Sequence, residues 1–351
     1  QARGGEITDF PSWERVLKEL SAQAEARADW AAAAGYLRMA EFFMVPDTPE
    51  CHAVYDRARE IFYTHFAHLF AEKGGPIYRE EVPYEGGVLP CWRVLPDGAS
   101  KGTILFHGGN DSLLEEFTDA LLYLAQGGYT VLAFEGPGQG AALRKSGLTF
   151  TPEWEKPVGA VLNHYGADNV TIIGVSLGGE LCMRAAAMEP RIRRVVSWSV
   201  LPSIYGALMA DKPAEIRAKL EHWLDENNRE AILDLYAGLA EREPLFRWSI
   251  QHSNYAYGTS DVYEYLQKAR AFTMEPVAEQ ITQDVLLLSA REDLLVDFGL
   301  YKQEIDLLKN TRSLEFAVPG RALNGQAHCN MGNTKYMLDL ILNWNDRMLE
   351  R

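Results

Sequence analysis

The sequence predicts an α/β fold: a mostly parallel sheet with helices on both faces, preceded by a helical N-terminal region and interrupted by a helical cap insertion. Three observations lead there. Short β-rich runs alternate with helical stretches through most of the chain, a paired run with a glycine-rich turn stands ahead of them, and one long helical segment breaks the alternation.

Up to about Lys73 the pattern is helical, with Trp13, Val16, Leu17 and Leu20 three and four residues apart and an alanine-rich stretch around Trp30 to Met44. Its later part carries an apolar stripe of Ile61, Phe62, Phe66, Leu69 and Phe70, which must pack on the core or on a second subunit, and a homodimer through this region is one way to cover it. Gly74-Gly75-Pro76 closes the region. Strand-like runs at 78–84 and 88–95 flank Glu85-Gly86-Gly87 and read as a hairpin. Six further runs follow, at 103–106, 130–134, 170–173, 194–198, 285–288 and 314–318, the alternating pattern of a parallel sheet. Between Leu201 and about Gln283 the alternation stops in a helical, aromatic-rich segment too long for a loop, which we expect to cap the site. The expected parts are a helical region at 1–76, a core at 77–201, a cap at 202–283 and the remaining core at 284–351.

Composition narrows the partners. With 34 Lys and Arg against 49 Asp and Glu, the formal charge is −15, and no basic run exists to track a phosphate backbone. Nucleic acid is not an expected partner. Cys51, Cys91, Cys182 and Cys329 lack metal-ligand spacing and form no evident disulfide framework, so we expect no metal, no cofactor and a reducing cytoplasm. No membrane association is expected, because no run approaches the roughly 20 apolar residues of a span and Gln1-Ala2-Arg3-Gly4-Gly5 does not open a signal segment.

The chemistry centres on Gly174-Val175-Ser176-Leu177-Gly178-Gly179, where a β-rich run meets a serine and a helix begins at Glu180. Such a nucleophile elbow turns too sharply for bulky neighbours two positions either side, and Gly174 and Gly178 meet that need. A serine hydroxyl needs a base, and in this fold the acid and the base follow it in chain order. Asp293 and His328 do so, each after a predicted strand. Glu292 and Asp297 compete for the acid role, but Asp293 lies better placed beyond the strand end. Leu177 N–H is one expected oxyanion donor, and Gly109 or Asn110, in Phe106-His107-Gly108-Gly109-Asn110-Asp111, the other. His107, Glu135, Tyr205 and Tyr257 are candidate substrate contacts. Trp30, Phe42, Trp198 and Trp223 are further candidates for an apolar cavity.

Beyond the triad, Phe134-Glu135-Gly136-Pro137-Gly138-Gln139-Gly140, Glu153-Trp154-Glu155-Lys156-Pro157 and His328-Cys329-Asn330-Met331-Gly332-Asn333 occur as a set. From about Tyr78 to its end the chain resembles the α/β-hydrolases that include 2,6-dihydroxypseudooxynicotine hydrolase, the fermentation-respiration switch group and fungal hydrolases that shorten naphthopyrone polyketides. The resemblance implies cleavage of a carbon-carbon bond next to a ketone, in an aromatic or polyketide-like small molecule whose departing carbanion is delocalised. Where the nicotine-pathway enzyme carries a carboxylate after the glycine-rich run, Ala141 stands here, so that group's role does not carry over. The run itself reads as a tight loop after a strand, without phosphate-binding spacing. Alternatives are an esterase, thioesterase or peptidase on the same triad, an acyl-transfer cyclase, and a non-catalytic binding or regulatory protein on the same scaffold.

Overall fold

A computed structural model describes residues 3–350. Gln1 and Ala2, part of the start considered above, and Arg351 lie outside the described residues.

Eight strands form one sheet: β1 (Ile77–Tyr84), β2 (Gly87–Val94), β3 (Thr103–His107), β4 (Thr130–Phe134), β5 (Val170–Val175), β6 (Ile192–Trp198), β7 (Asp284–Leu288) and β8 (Ser313–Ala317). Their spatial order is β1-β2-β4-β3-β5-β6-β7-β8. The pairs β1/β2 and β2/β4 are antiparallel and all others parallel. Strand order reverses around β3 and β4, which places β3 beside β5 at the centre, where open α/β sheets carry their sites beyond the carboxyl ends. Every residue of β5 is buried, as a parallel strand covered on both faces requires.

The hairpin turn is tighter than the glycine-rich triplet suggested. Tyr84 pairs with Gly87, so Gly87 belongs to β2 and the turn is Glu85-Gly86, both at positive φ (43° and 82°). That is the primed two-residue geometry whose twist matches the strands it joins.

Three helices precede the sheet, at Phe10–Ala26, Trp30–Phe42 and Pro49–His65. Side chains of Asp9, Asp29 and Thr48 cap their first turns, contacts worth about 1 kcal/mol each. They share a small apolar core of their own around Leu17, Ala33, Leu37 and Ile61. The stripe beyond it packs on the chain's own sheet: the Phe70 ring lies edge-on to Trp92 of β2 at 5.3 Å, and Phe62 stacks on Trp92 at 6.3 Å. A cluster of charged side chains makes the second joint. Glu41, 3% exposed, pairs with Arg38 at 2.8 Å and with Arg144 beyond β4.

Between β6 and β7, five helices run from Ile204–Ala210 to Val262–Ala269. The fourth, Pro244–Tyr257, meets the N-terminal region where Trp248 stacks on Phe42 at 5.2 Å. Among the described residues no helix is long and apolar enough to cross a membrane, and no cluster of His, Cys, Asp and Glu has the form of a metal site. All four cysteines are free and buried.

Candidate active site

β5 ends at Val175, and the chain turns through Ser176 at φ 60° into the helix Gly178–Met188. A side chain at residue 174 would put its Cβ 1.9 Å from the Gly178 carbonyl oxygen, so only glycine permits this approach. Ser176 N–H donates to the Trp198 carbonyl at 3.0 Å, tying the elbow to the end of β6. The serine therefore sits at the carboxyl edge of the central strand, in front of a helix N-terminus that favours negative charge.

Ser176 Oγ lies 2.8 Å from His328 Nε2, and His328 Nδ1 lies 2.7 Å from Asp293 Oδ2. The other carboxylate oxygen, Asp293 Oδ1, accepts the N–H groups of Leu295 (2.8 Å) and Val296 (3.1 Å). The two rivals for the acid position are turned elsewhere. Glu292 is bound by Arg321 through two contacts, and Asp297 caps the N–H of Gly299. Asn330, 1% exposed, anchors the histidine loop by donating to the carbonyls of Ser289 (3.1 Å) and Gly325 (2.6 Å).

Electrostatics within the pair follow from this geometry. Burial acts to lower the His328 pKa, but the Asp293 carboxylate and the adjoining Cys329 outweigh it and hold the imidazole above its ordinary value. Burial acts to raise Asp293, but the His328 bond and the two backbone N–H groups hold the acid below its ordinary value. The carboxylate thus stays ionised and holds a proton on Nδ1, so that in the neutral ring Nε2 is the nitrogen left to accept from the serine.

The predicted donors divide. Leu177 N–H and Asn110 N–H have no acceptor among the described residues, whereas Gly109 N–H donates to Ser112 Oγ at 3.1 Å. Gly109 is therefore corrected as a donor. Its role is spatial, since a Cβ there would stand 2.8 Å from Ser176 Cβ and 2.9 Å from the Leu177 nitrogen.

A cavity of about 800 Å³ opens over Ser176 and His328, walled by Val175, Trp198, Ile204, Trp248, Tyr257 and Phe42 among others. Tyr257 lines this cavity, but the other three candidate contacts do not. His107 is fully buried, with Nδ1 on the Gly108 carbonyl (3.0 Å) and Nε2 accepting from Trp154 Nε1 (3.3 Å). Burial pushes its pKa down to about 4, so it is a neutral packing group. Glu135 is 3% exposed and is not part of the cavity wall, accepting the N–H of Leu114 (3.0 Å) and of Ala141 (2.7 Å). Tyr205 packs within the cap against the core cluster, as does Trp223, while Trp30 stacks on His65 in the N-terminal helices. His107 and Glu135 share a cause: a polar side chain at a strand end has two sides to choose between, and here the interior supplies the hydrogen-bond partners.

Residues 104–321 match the family model described as the alpha/beta hydrolase fold. The chain belongs to the α/β-hydrolase family. As an α/β-hydrolase it is an enzyme of hydrolytic type, and its curated relatives carry that designation. It is 31% identical to alpha/beta hydrolase psoB of Aspergillus fumigatus over 309 residues, covering 76% of this chain and 67% of that one. It is 28% identical to hydrolyase ccsE of Aspergillus clavatus, covering 92% and 85%. Among solved structures, 2,6-dihydroxy-pseudo-oxynicotine hydrolase superposes with a TM-score of 0.68 at 20% identity, covering 99% of this α/β-hydrolase and 90% of that chain. At that identity the likeness establishes a shared fold, which extends over the N-terminal helices.

Proposed function

We propose that this α/β-hydrolase acts through Ser176, His328 and Asp293 as a catalytic triad, forming an acyl-enzyme, and that it cleaves a carbon-carbon bond next to a ketone in an aryl ketone or polyketide-like substrate. The observation that carries the triad is the continuous relay of two short hydrogen bonds, Ser176 to His328 and His328 to Asp293, at the floor of the cavity.

Ser176 Oγ attacks the ketone carbon while its proton passes to His328 Nε2, and Asp293 stabilises the imidazolium. The N–H groups of Leu177 and Asn110 receive the oxyanion, an interaction whose loss costs on the order of a hundredfold in rate or more. When the tetrahedral intermediate collapses, the carbon-carbon bond breaks and its electron pair leaves with the departing fragment. His328 returns the proton to that carbon. Water, activated by the now neutral His328, then releases the acid and restores Ser176.

Support for the carbon-carbon reading is chemical. A carbanion departs only when a neighbouring carbonyl or phenolic ring delocalises its charge, and such substrates are flat and apolar. The cavity offers Trp198, Trp248, Tyr257 and Phe42 to a ligand of that kind. The structural neighbour 2,6-dihydroxy-pseudo-oxynicotine hydrolase, named for a dihydroxylated substrate, points the same way.

The test is product analysis by mass spectrometry with a β-diketone, an aryl ester and an aminoacyl amide offered in parallel. Two fragments from the diketone, one a carboxylic acid, support the proposal. Hydrolysis of the ester alone would reduce it to an esterase. A fluorophosphonate that leaves Ser176 unlabelled in folded protein would remove the triad itself.

A further inference from the structure

The loop that carries the Asn110 donor is held by its carbonyl groups, from three parts of the molecule. The Gly108 carbonyl accepts from His107 Nδ1 (3.0 Å) and from Gln139 Nε2 (2.9 Å). That of Gly109 accepts from the same Gln139 Nε2 (2.8 Å). His252 of the cap lines the same cavity as Asn110, and the Asp111 carbonyl accepts from Arg38 Nη2 of the N-terminal region at 2.6 Å. Gln139 is itself fixed: it is 1% exposed, and its Oε1 accepts the N–H of Gly136 at 2.9 Å.

One of these contacts bears directly on the oxyanion. The carbonyl of Gly109 and the N–H of Asn110 belong to one planar trans peptide unit and point in opposite directions. Wherever Gln139 draws the carbonyl, the N–H is aimed the other way. Without that anchor the unit is free to rotate about its two flanking bonds, and glycine at 109 makes such rotation easy. We propose that Gln139 is a positioning residue that sets the direction of the Asn110 oxyanion donor, with Arg38 securing the same loop from the N-terminal region.

The inference deepens the proposed chemistry and rests on Ser176 being the acylated residue. Gln139→Met keeps the side-chain length and deletes both donations, together with the acceptor for the Gly136 N–H. In the full chain, with p-nitrophenyl acetate as the probe, kcat per fluorophosphonate-titrated site should fall about tenfold or more while KM stays within about threefold. Affinity for phenylboronic acid, whose serine adduct is tetrahedral, should fall in proportion to kcat/KM. The acid limb of the pH profile should not move, because the Ser176–His328–Asp293 relay is untouched. A purely structural role would lower the melting temperature and the fraction of titratable sites but leave kcat per site unchanged, and that result overturns the inference. Wild-type protein that is not labelled at Ser176 would remove the triad and the inference together, whereas a labelled wild type with unaltered kcat in Gln139→Met removes the inference alone. Gln139→Ala, which deletes the same donations without filling the space, gives the same reading on a second variant should Gln139→Met not fold. Unchanged kcat per site there would then overturn it.

Discussion

Replacing Asp293 by asparagine separates the two jobs that its carboxylate performs. One oxygen accepts two backbone N–H groups, from Leu295 and Val296, and the other accepts Nδ1–H of His328. An amide has one accepting and one donating end, so one job must fail. If the amide oxygen faces His328, its NH2 group opposes two N–H donors and both bonds are lost, at about 1 kcal/mol or more each plus the repulsion. If the oxygen stays on the turn, only the single His328 contact changes. The amide should therefore keep the turn and present NH2 to the ring. His328 then accepts at Nδ1 and carries its proton on Nε2, the tautomer that cannot take the proton of Ser176. The expected result is a folded protein with kcat reduced roughly 10³- to 10⁴-fold. Steady-state turnover of an aryl ester gives the rate, and 15N correlation spectra of the imidazole identify the tautomer. The raised pKa of His328 also predicts an acid limb of kcat/KM above the usual imidazole value of 6.5, activity being present at higher pH and lost as pH falls through it. In Asp293→Asn any residual limb should lie lower. A variant with turnover within tenfold of wild type, or with Nδ1 still protonated, would refute this reasoning.

Other perturbations follow from the same geometry. Gly174→Ala places a methyl group 1.9 Å from the Gly178 carbonyl oxygen, backbone against backbone, so the elbow must open; fluorophosphonate labelling of Ser176 should fall by more than about tenfold even where circular dichroism shows a folded chain. Trp154→Ala empties a fully buried site beneath the Gly136 loop and leaves His107 Nε2 without its donor, and should cost about 3–5 kcal/mol in denaturant unfolding. Glu180 and Glu304 are buried carboxyls, each pushed up to about 8, chiefly by burial. Both are protonated in the folded chain at pH values where the unfolded chain has released its protons, so stability should fall as pH rises from about 4.5 to about 8 and then level off. Glu304→Gln should flatten that slope in melting curves taken across the range, and an unaltered slope would assign the pH dependence elsewhere.

Strand positions, the sharp turn at Ser176 and the chain order of Ser176, Asp293 and His328 were legible because each depends on local pattern. A fully buried parallel strand reads as a continuous apolar run, and β5 is one. The sharp turn at Ser176 requires glycines at fixed offsets, and they stand at 174 and 178. The choice of Asp293 over its neighbours had only a weak local signal, which the turn at Leu295 and Val296 and the Arg321 contact of Glu292 make physical. Gln139 lay within a motif singled out in the sequence, but its partners are the carbonyls of Gly108 and Gly109, some thirty positions earlier in the chain. No pattern near residue 139 reports them.

By itself, then, the sequence determined the sheet, the sharp turn at its centre and the residue types of the relay, because backbone periodicity, glycine and chain order are local properties. Only the tertiary structure decided which way each polar group faces. It turned His107 and Glu135 inward, took the Gly109 N–H for Ser112, and brought Arg38 and Gln139 onto one loop. The physical reason is that a buried polar group takes the partner that best offsets its lost water, and that partner is chosen in space.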